Sequence, residues 1–128
     1  GILLHDIGKL FSIKSEYQAS YTNEGNLIGH IVIGRDMVRN EAKSIKKFPQ
    51  NLLINIEHII LSHQGKYEWQ SPKKPAFAEA LFVHLIDLLD SQMNIMLQAI
   101  SNDQDIEDFT SKYNYYKIPL LKKLNATK

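Results

Sequence analysis

The sequence predicts an all-α domain. Four or five segments carry apolar residues at helical spacing, glycine, proline and asparagine punctuate the gaps between them, and no strand-rich segment is present. At 128 residues the chain suits one domain with a real hydrophobic core. The expected division is a core over residues 1–100 and a tail, helical or partly disordered, over residues 101–128.

Ile2 to Phe11 form a short apolar first helix, and Ser12 to Gly25 a polar connection in which Glu16 to Tyr21 are briefly extended and Asn23 and Gly25 mark a turn. Asn26 is placed to cap a second helix running to about Lys47. Its apolar stripe of Leu27, Ile31, Val38, Ala42 and Ile45 falls within about 60° of arc. Pro49 ends that helix and opens the next, from Gln50 to Gln64, which Gly65 stops. Lys66 to Pro75 form a loop carrying the single tryptophan, Trp69. A long helix from Ala76 to Ile100 follows, apolar nearly all round between Leu81 and Leu89, and so expected to be central and buried. The acidic stretch Asp103 to Asp108 begins a last, weaker helix.

Composition excludes several classes. The net charge of +1 gives no global basic field for nucleic acid. With no cysteine, disulfides and thiolate metal sites are excluded, and any metal is held by histidine and carboxylate. No run approaches the roughly 18 apolar residues of a membrane span. With no signal peptide visible, a cytoplasmic location is the expectation. The chain opens on Gly1, inside an apolar stretch, as a piece of a longer protein would.

The chemistry concentrates in Gly1-Ile-Leu-Leu-His5-Asp6-Ile-Gly8-Lys9. An adjacent His5 and Asp6 inside an apolar run cost several kcal/mol to bury unpartnered, and a divalent metal answers both residue types. Lys9 is one turn on and shares their face, and Gly8 permits close approach of another element. Asp87, in the run Leu85-Ile86-Asp87-Leu88-Leu89, is a second carboxylate that needs a cation. His63 falls on the buried face that Leu52, Ile56, Ile59 and Ile60 define, about 140° around the axis from His58. His63 is therefore the candidate ligand, and His58 a supporting or surface residue. His30, at the edge of its stripe beside Gly34 and Met37, is either a further ligand or a satisfied core histidine. His84 and Asp90 flank Asp87 by one turn and are reachable partners behind the ligands.

The order His5-Asp6, His30, His63, Asp87 on successive helices resembles the HD-domain metal-dependent phosphohydrolases, whose hallmark doublet often continues as His-Asp-Ile-Gly-Lys. It is most similar to the HD domain of YhaM-type 3′–5′ exoribonucleases. The matching runs are Gly1 to Lys9, Glu24-Gly-Asn-Leu-Ile-Gly-His30-Ile, His58-Ile-Ile-Leu-Ser-His63-Gln-Gly-Lys66, Glu68-Trp-Gln-Ser-Pro-Lys73 and His84-Leu-Ile-Asp87-Leu-Leu-Asp90-Ser-Gln-Met-Asn94. The family's first histidine, on a helix preceding the doublet, has no counterpart here, so the implied fold is an HD helical bundle lacking its N-terminal helix or helices. Where the family often has His-His-Gly, this chain has His63-Gln64-Gly65.

The resemblance implies a metal-dependent phosphodiesterase acting on RNA or nucleotides, with an OB-type nucleic-acid-binding domain preceding it in the parent protein. His5, Asp6, His30, His63 and Asp87 would hold one or two divalent ions, Mn²⁺ or Fe²⁺ by preference, with Mg²⁺, Zn²⁺ or Ni²⁺ as alternatives. Asp6 and Lys9 would act in catalysis, Asp6 (or Asp87) orienting water and Lys9 acting electrostatically. Lys66, Lys73 and Lys74 would hold RNA, with Trp69 or Tyr67 as a stacking face. The rival readings are hydrolysis of mononucleotides or signalling nucleotides, and a catalytically silent binding or assembly module. Without the preceding helix, Ile2, Leu3, Leu4 and part of the site should lie open, so that the chain self-associates or binds metal weakly.

Overall fold

The computed structural model describes residues 1–15 and 20–123. The described chain is helical apart from one two-stranded sheet: α1 (Lys9–Ser12), β1 (Ile13–Ser15), β2 (Ser20–Tyr21), α2 (Asn23–Leu27), α3 (His30–Ser44), α4 (Gln50–Ser62), a 3₁₀ turn (Tyr67–Trp69) and α5 (Ala78–Ser101). The expected all-α class holds. The strands pair antiparallel, Ile13 with Tyr21 and Ser15 with Ser20. Most of the extended segment expected at Glu16 to Tyr21 lies outside the described residues. The chain clusters into two compact units, Gly1–Asp87 and Leu88–Lys128.

In the first unit the His5-Asp6 doublet sits in a series of tight turns rather than in a regular α-helix. Leu4 and His5 both donate to the Gly1 carbonyl at 3.0 Å, Ile7 donates to Leu4 at 3.2 Å and Lys9 to Asp6 at 2.9 Å. Closure over three residues is how a helix end satisfies its orphan carbonyls. Ile2 and Leu3 are exposed there, and Leu4 is half-buried. Behind them a cavity of about 620 Å³ is lined by apolar side chains that include Ile7, Met37, Ala42 and Phe48.

The single helix expected from Asn26 to Lys47 is two helices. Thr22, not Asn26, caps the first, its Oγ1 accepting the Gly25 N–H at 2.8 Å while donating to the Phe11 carbonyl at 2.9 Å. Gly29, at φ 82°, breaks the path and starts α3 at His30. Leu27 is consequently off the stripe and exposed, whereas Ile31 and Ala42 are buried as expected.

Gly8 brings α1 onto α3. Its backbone is ordinary right-handed helix, so the constraint is space: a Cβ there would lie 1.9 Å from the His30 carbonyl oxygen and 2.7 Å from the Gly34 nitrogen. Arg39 of α3 then clamps α4, its Nε and Nη2 donating to the two carboxylate oxygens of Glu57 at 2.5 and 2.6 Å. That fork explains how a glutamate comes to be buried beside Leu53, Ile59 and Ile60, while Leu52, assigned to the buried face from its spacing, is exposed. Helix α4 ends as expected, with Gly65 at φ 76°.

The burial of α5 departs from expectation. Ala80, Val83 and His84 are buried, Ala80 and Val83 clustering with Ile59 and Phe77, but Leu81, Phe82, Leu85, Ile86 and Leu89 are exposed. An all-round apolar helix does not say how many of its faces find a partner, and only one stripe packs here. By length and composition α5 is also apolar enough to cross a membrane, contrary to the expectation that no run approaches a span. In the second unit there is no helix over Asp103 to Asp108. The Asp103 carboxylate instead accepts the backbone N–H groups of Asp105 at 3.1 Å and Ser111 at 3.0 Å, and the Lys122 ammonium at 2.7 Å. Such side-chain acceptors compete directly with a helical ladder. Phe109 pairs with Leu121 as an isolated antiparallel bridge.

Two outcomes follow from the helix contacts. Gly8→Ala should destabilise the protein by about 1–3 kcal/mol, because backbone rather than a side-chain end must move, and a melting curve overlapping wild type would disprove the contact. The Arg39 fork holds the Glu57 carboxyl below its ordinary 4.5 against the opposing effect of burial. Its stabilisation is therefore present above 4.5 and lost as pH falls through the lower folded-state value. Thermal melts of Arg39→Met should fall below wild type at neutral pH, with the gap closing in acid.

Candidate metal centre

Four separate segments each deliver a donor to one place. The turns before α1 supply His5 and Asp6, the first residue of α3 supplies His30, the residue capping the end of α4 supplies His63, and α5 supplies Asp87. Asp6 is the hub. Its Oδ1 is 3.4 Å from His30 Nε2 and 3.6 Å from His63 Nε2. Its Oδ2 is 3.4 Å from His5 Nε2, which is in turn 3.4 Å from Asp87 Oδ1. Two overlapping donor groups result, Asp6-His30-His63 and His5-Asp6-Asp87, sharing only Asp6.

The imidazoles are set with Nε2 inward. His5 Nδ1 lies 2.6 Å from the Ile2 carbonyl and His63 Nδ1 2.7 Å from the Ile60 carbonyl. A carbonyl only accepts, so both Nδ1 atoms carry the proton, and Nε2 is left as the atom that meets the other donors. In His63 burial pushes the pKa down and keeps the ring neutral, and burial acts the same way on His30. His5 differs. Its interaction with Asp6 raises its pKa to about 9 in spite of burial, with the Ile2 bond and Asp87 adding to the effect. Burial works against ionisation of Asp6, but His5 and Lys9 together hold its carboxyl well below the usual range. In this arrangement a proton on His5 supplies positive charge to the two carboxylates.

The donor set fits a divalent ion. Asp6 Oδ1 and His30 Nε2 are buried and have no hydrogen-bond partner among the described residues, a costly state for polar atoms. Separations of 3.4–3.6 Å are too long for hydrogen bonds. They are close to the roughly 3.0–3.5 Å between two atoms that each lie about 2.1 Å from a shared ion. Three imidazoles and two carboxylates, without sulfur, suit a borderline or hard first-row ion.

The other residues singled out from sequence fall around this cluster. Lys9 Nζ is 2.5 Å from Asp6 Oδ2, on the face expected. His58 lies outside both donor groups, its Nε2 accepting the Ala76 N–H at 3.0 Å and its ring 5.2 Å from that of Phe77. His84 supports the backbone of His63: its Nδ1 donates to the His63 carbonyl at 2.7 Å, and its ring covers Gly65 so closely that a Cβ there would be 2.2 Å away. Asp90 is exposed, belongs to the second unit and joins neither donor group. In the loop, Lys66 Nζ lies 4.4 Å over the Trp69 ring and Lys74 Nζ 5.1 Å over Tyr67. Trp69 is 6.4 Å from the His84 ring, and Lys73 is anchored by its backbone N–H to the Leu61 carbonyl at 3.1 Å.

Sequence reasoning passed over one neighbour. Gln64, noted only as standing where the family often has a second histidine, has its Nε2 3.3 Å from His63 Nε2. Only its adjacency to His63 at the helix end hinted at this.

Among known families, the model of the HD domain matches residues 1–92. No solved structure matches the chain.

Metal binding should follow the geometry. Losing a group behind a ligand weakens a site about 10–100-fold, so losing a direct donor should cost at least that. In Mn²⁺ titrations His30→Ala and Asp87→Asn should each weaken binding to that degree. Asp6→Ala, which removes the atom pair common to both groups, should abolish it. Wild-type affinity in Asp6→Ala would refute the assignment.

Proposed function

The chain belongs to the HD domain family of metal-dependent phosphohydrolases, and from that premise we propose that it hydrolyses phosphodiester bonds in RNA, as the HD part of a 3′–5′ exoribonuclease. The observation that carries the reading is the convergence of His5, Asp6, His30, His63 and Asp87, with Asp6 Oδ1 and His30 Nε2 left unpartnered. These five residues would hold one or two divalent ions, with Mn²⁺ or Fe²⁺ best suited to the mixed nitrogen and oxygen set. Such an ion acidifies water and neutralises charge on a phosphoryl group.

The chain's own groups supply the rest. Asp6, with oxygens facing both donor groups, orients the attacking water. Lys9, held at Asp6 and half exposed, adds positive charge where the phosphoryl oxygens gather negative charge. His84 fixes the His63 backbone and so the aim of its ring. The polymer is favoured over a mononucleotide by the loop over residues 66–75. There Trp69 and Tyr67 offer exposed ring faces flanked by Lys66 and Lys74, and Trp69 reaches the site through His84.

The test is hydrolysis of single-stranded RNA by protein loaded with Mn²⁺, matched against mononucleotide and signalling-nucleotide substrates. Asp6→Asn should be inactive. Lys9→Met should retain its metal while turnover falls roughly 10²-fold, the usual cost of one electrostatic donor. Faster cleavage of a mononucleotide than of RNA would overturn the polymer reading. Metal-loaded protein that cleaves no phosphoester would favour a silent binding module.

A further inference from the structure

We propose that Gln64 contacts the substrate at this site, donating a hydrogen bond from its carboxamide to a non-bridging phosphoryl oxygen. The proposal deepens the phosphohydrolase reading and rests on it. Its starting point is the 3.3 Å contact between Gln64 Nε2 and His63 Nε2.

The orientation of that contact follows from the other side of the ring. His63 Nδ1 faces the Ile60 carbonyl at 2.7 Å and must be the protonated nitrogen. In the neutral ring, the form that can bind an ion, His63 Nε2 then presents only a lone pair, and the group facing it has to be a donor. Of the two ends of the carboxamide only the NH₂ can donate, so it is the NH₂ that points into the cluster, with Asp6 Oδ1 3.6 Å from the same Nε2.

His63 Nε2 has one lone pair. If that pair goes to a divalent ion, the Gln64 N–H loses its acceptor while staying beside the ion's remaining positions. A half-buried N–H without an acceptor is unfavourable, and an anionic oxygen arriving at the cluster satisfies it. The surroundings keep the group in place. Gly65 follows at φ 76°, the His84 ring lies against that glycine, and His84 Nδ1 holds the His63 carbonyl. Gln64 is thus carried on a short stretch of backbone fixed at both neighbours. The donor is also neutral, so it does not repel a metal as a lysine would.

The competing role is ligation, in which the carboxamide turns to offer its oxygen to the ion. The two roles separate in one set of titrations on wild type, Gln64→Ala and Gln64→Glu, each confirmed folded by circular dichroism. Mn²⁺ is titrated first, and inorganic phosphate is then titrated into the Mn²⁺-loaded proteins. As a donor to phosphate, Gln64 should leave Mn²⁺ affinity within about threefold when replaced by Ala, while phosphate affinity falls about tenfold, the usual worth of one hydrogen bond to a charged group. Gln64→Glu should bind Mn²⁺ at least as well as wild type and phosphate worse than Gln64→Ala, because a carboxylate repels it.

A tenfold or greater loss of Mn²⁺ affinity in Gln64→Ala would make Gln64 a ligand and overturn the proposal. Equal phosphate affinity in wild type and Gln64→Ala would overturn it while leaving the phosphohydrolase reading intact. Loaded wild type that neither holds phosphate nor cleaves RNA would overturn that reading, and the role of Gln64 with it.

Discussion

The structure depends on keeping one carboxylate ionised in a half-buried place. Asp6 has three imidazoles and a lysine within reach, and each contact answers the same cost, that of taking a charge out of water. The price of that burial is spread over three chain segments, the turns running into α1, the start of α3 and the end of α4. Positive charge at the centre therefore acts as a cross-link. In the arrangement described, Lys9 and a proton on His5 provide it. A divalent ion would provide more of it from one point, joining segments that share few apolar contacts.

The scaffold shows how the donors are brought to that point. Gly8 removes a side chain so that α3 can lie against the turn carrying the doublet, which sets where His30 begins. The Arg39 fork fixes α3 on α4, which sets where His63 ends. The buried apolar cluster is small, Ile59 with Ala80 and Val83, and it holds α5 at the height that presents Asp87. Polar contacts do an unusual share of the positioning, because the apolar surface of α5 is used along one stripe only.

Three members of the cluster, His5, Asp6 and Asp87, were legible from sequence because they violate their surroundings: two charged or polar residues inside Ile-Leu-Leu, and an aspartate amid leucines. Violations of that kind survive any error in helix boundaries. What was not legible is what depends on a partner. Thr22 displaces Asn26 as a cap because Gly29 breaks the chain after Ile28, which periodicity alone does not reveal. Asp103 reads as the start of a helix until the N–H groups of Asp105 and Ser111 are found on its carboxylate. Leu81, Phe82 and Leu85 look like core because hydrophobicity carries no information about which face is covered. Gln64 was invisible as a contact, since its direction is decided by the tautomer of its neighbour, which the Ile60 carbonyl decides in turn.

The two positive-φ glycines differ in what they would allow over mutational time. Around Gly29 the space is open, with nothing within 4 Å of a notional Cβ. A replacement there meets backbone strain alone, about 1–3 kcal/mol, because φ 82° with ψ 151° is a region that essentially only glycine enters. At Gly65 the strain is joined by a collision with the His84 ring. Shrinking residue 84 would relieve the collision but release the His63 carbonyl. Neither position can drift first without loss, so residues 65 and 84 form a pair tied by epistasis, inherited together or exchanged together.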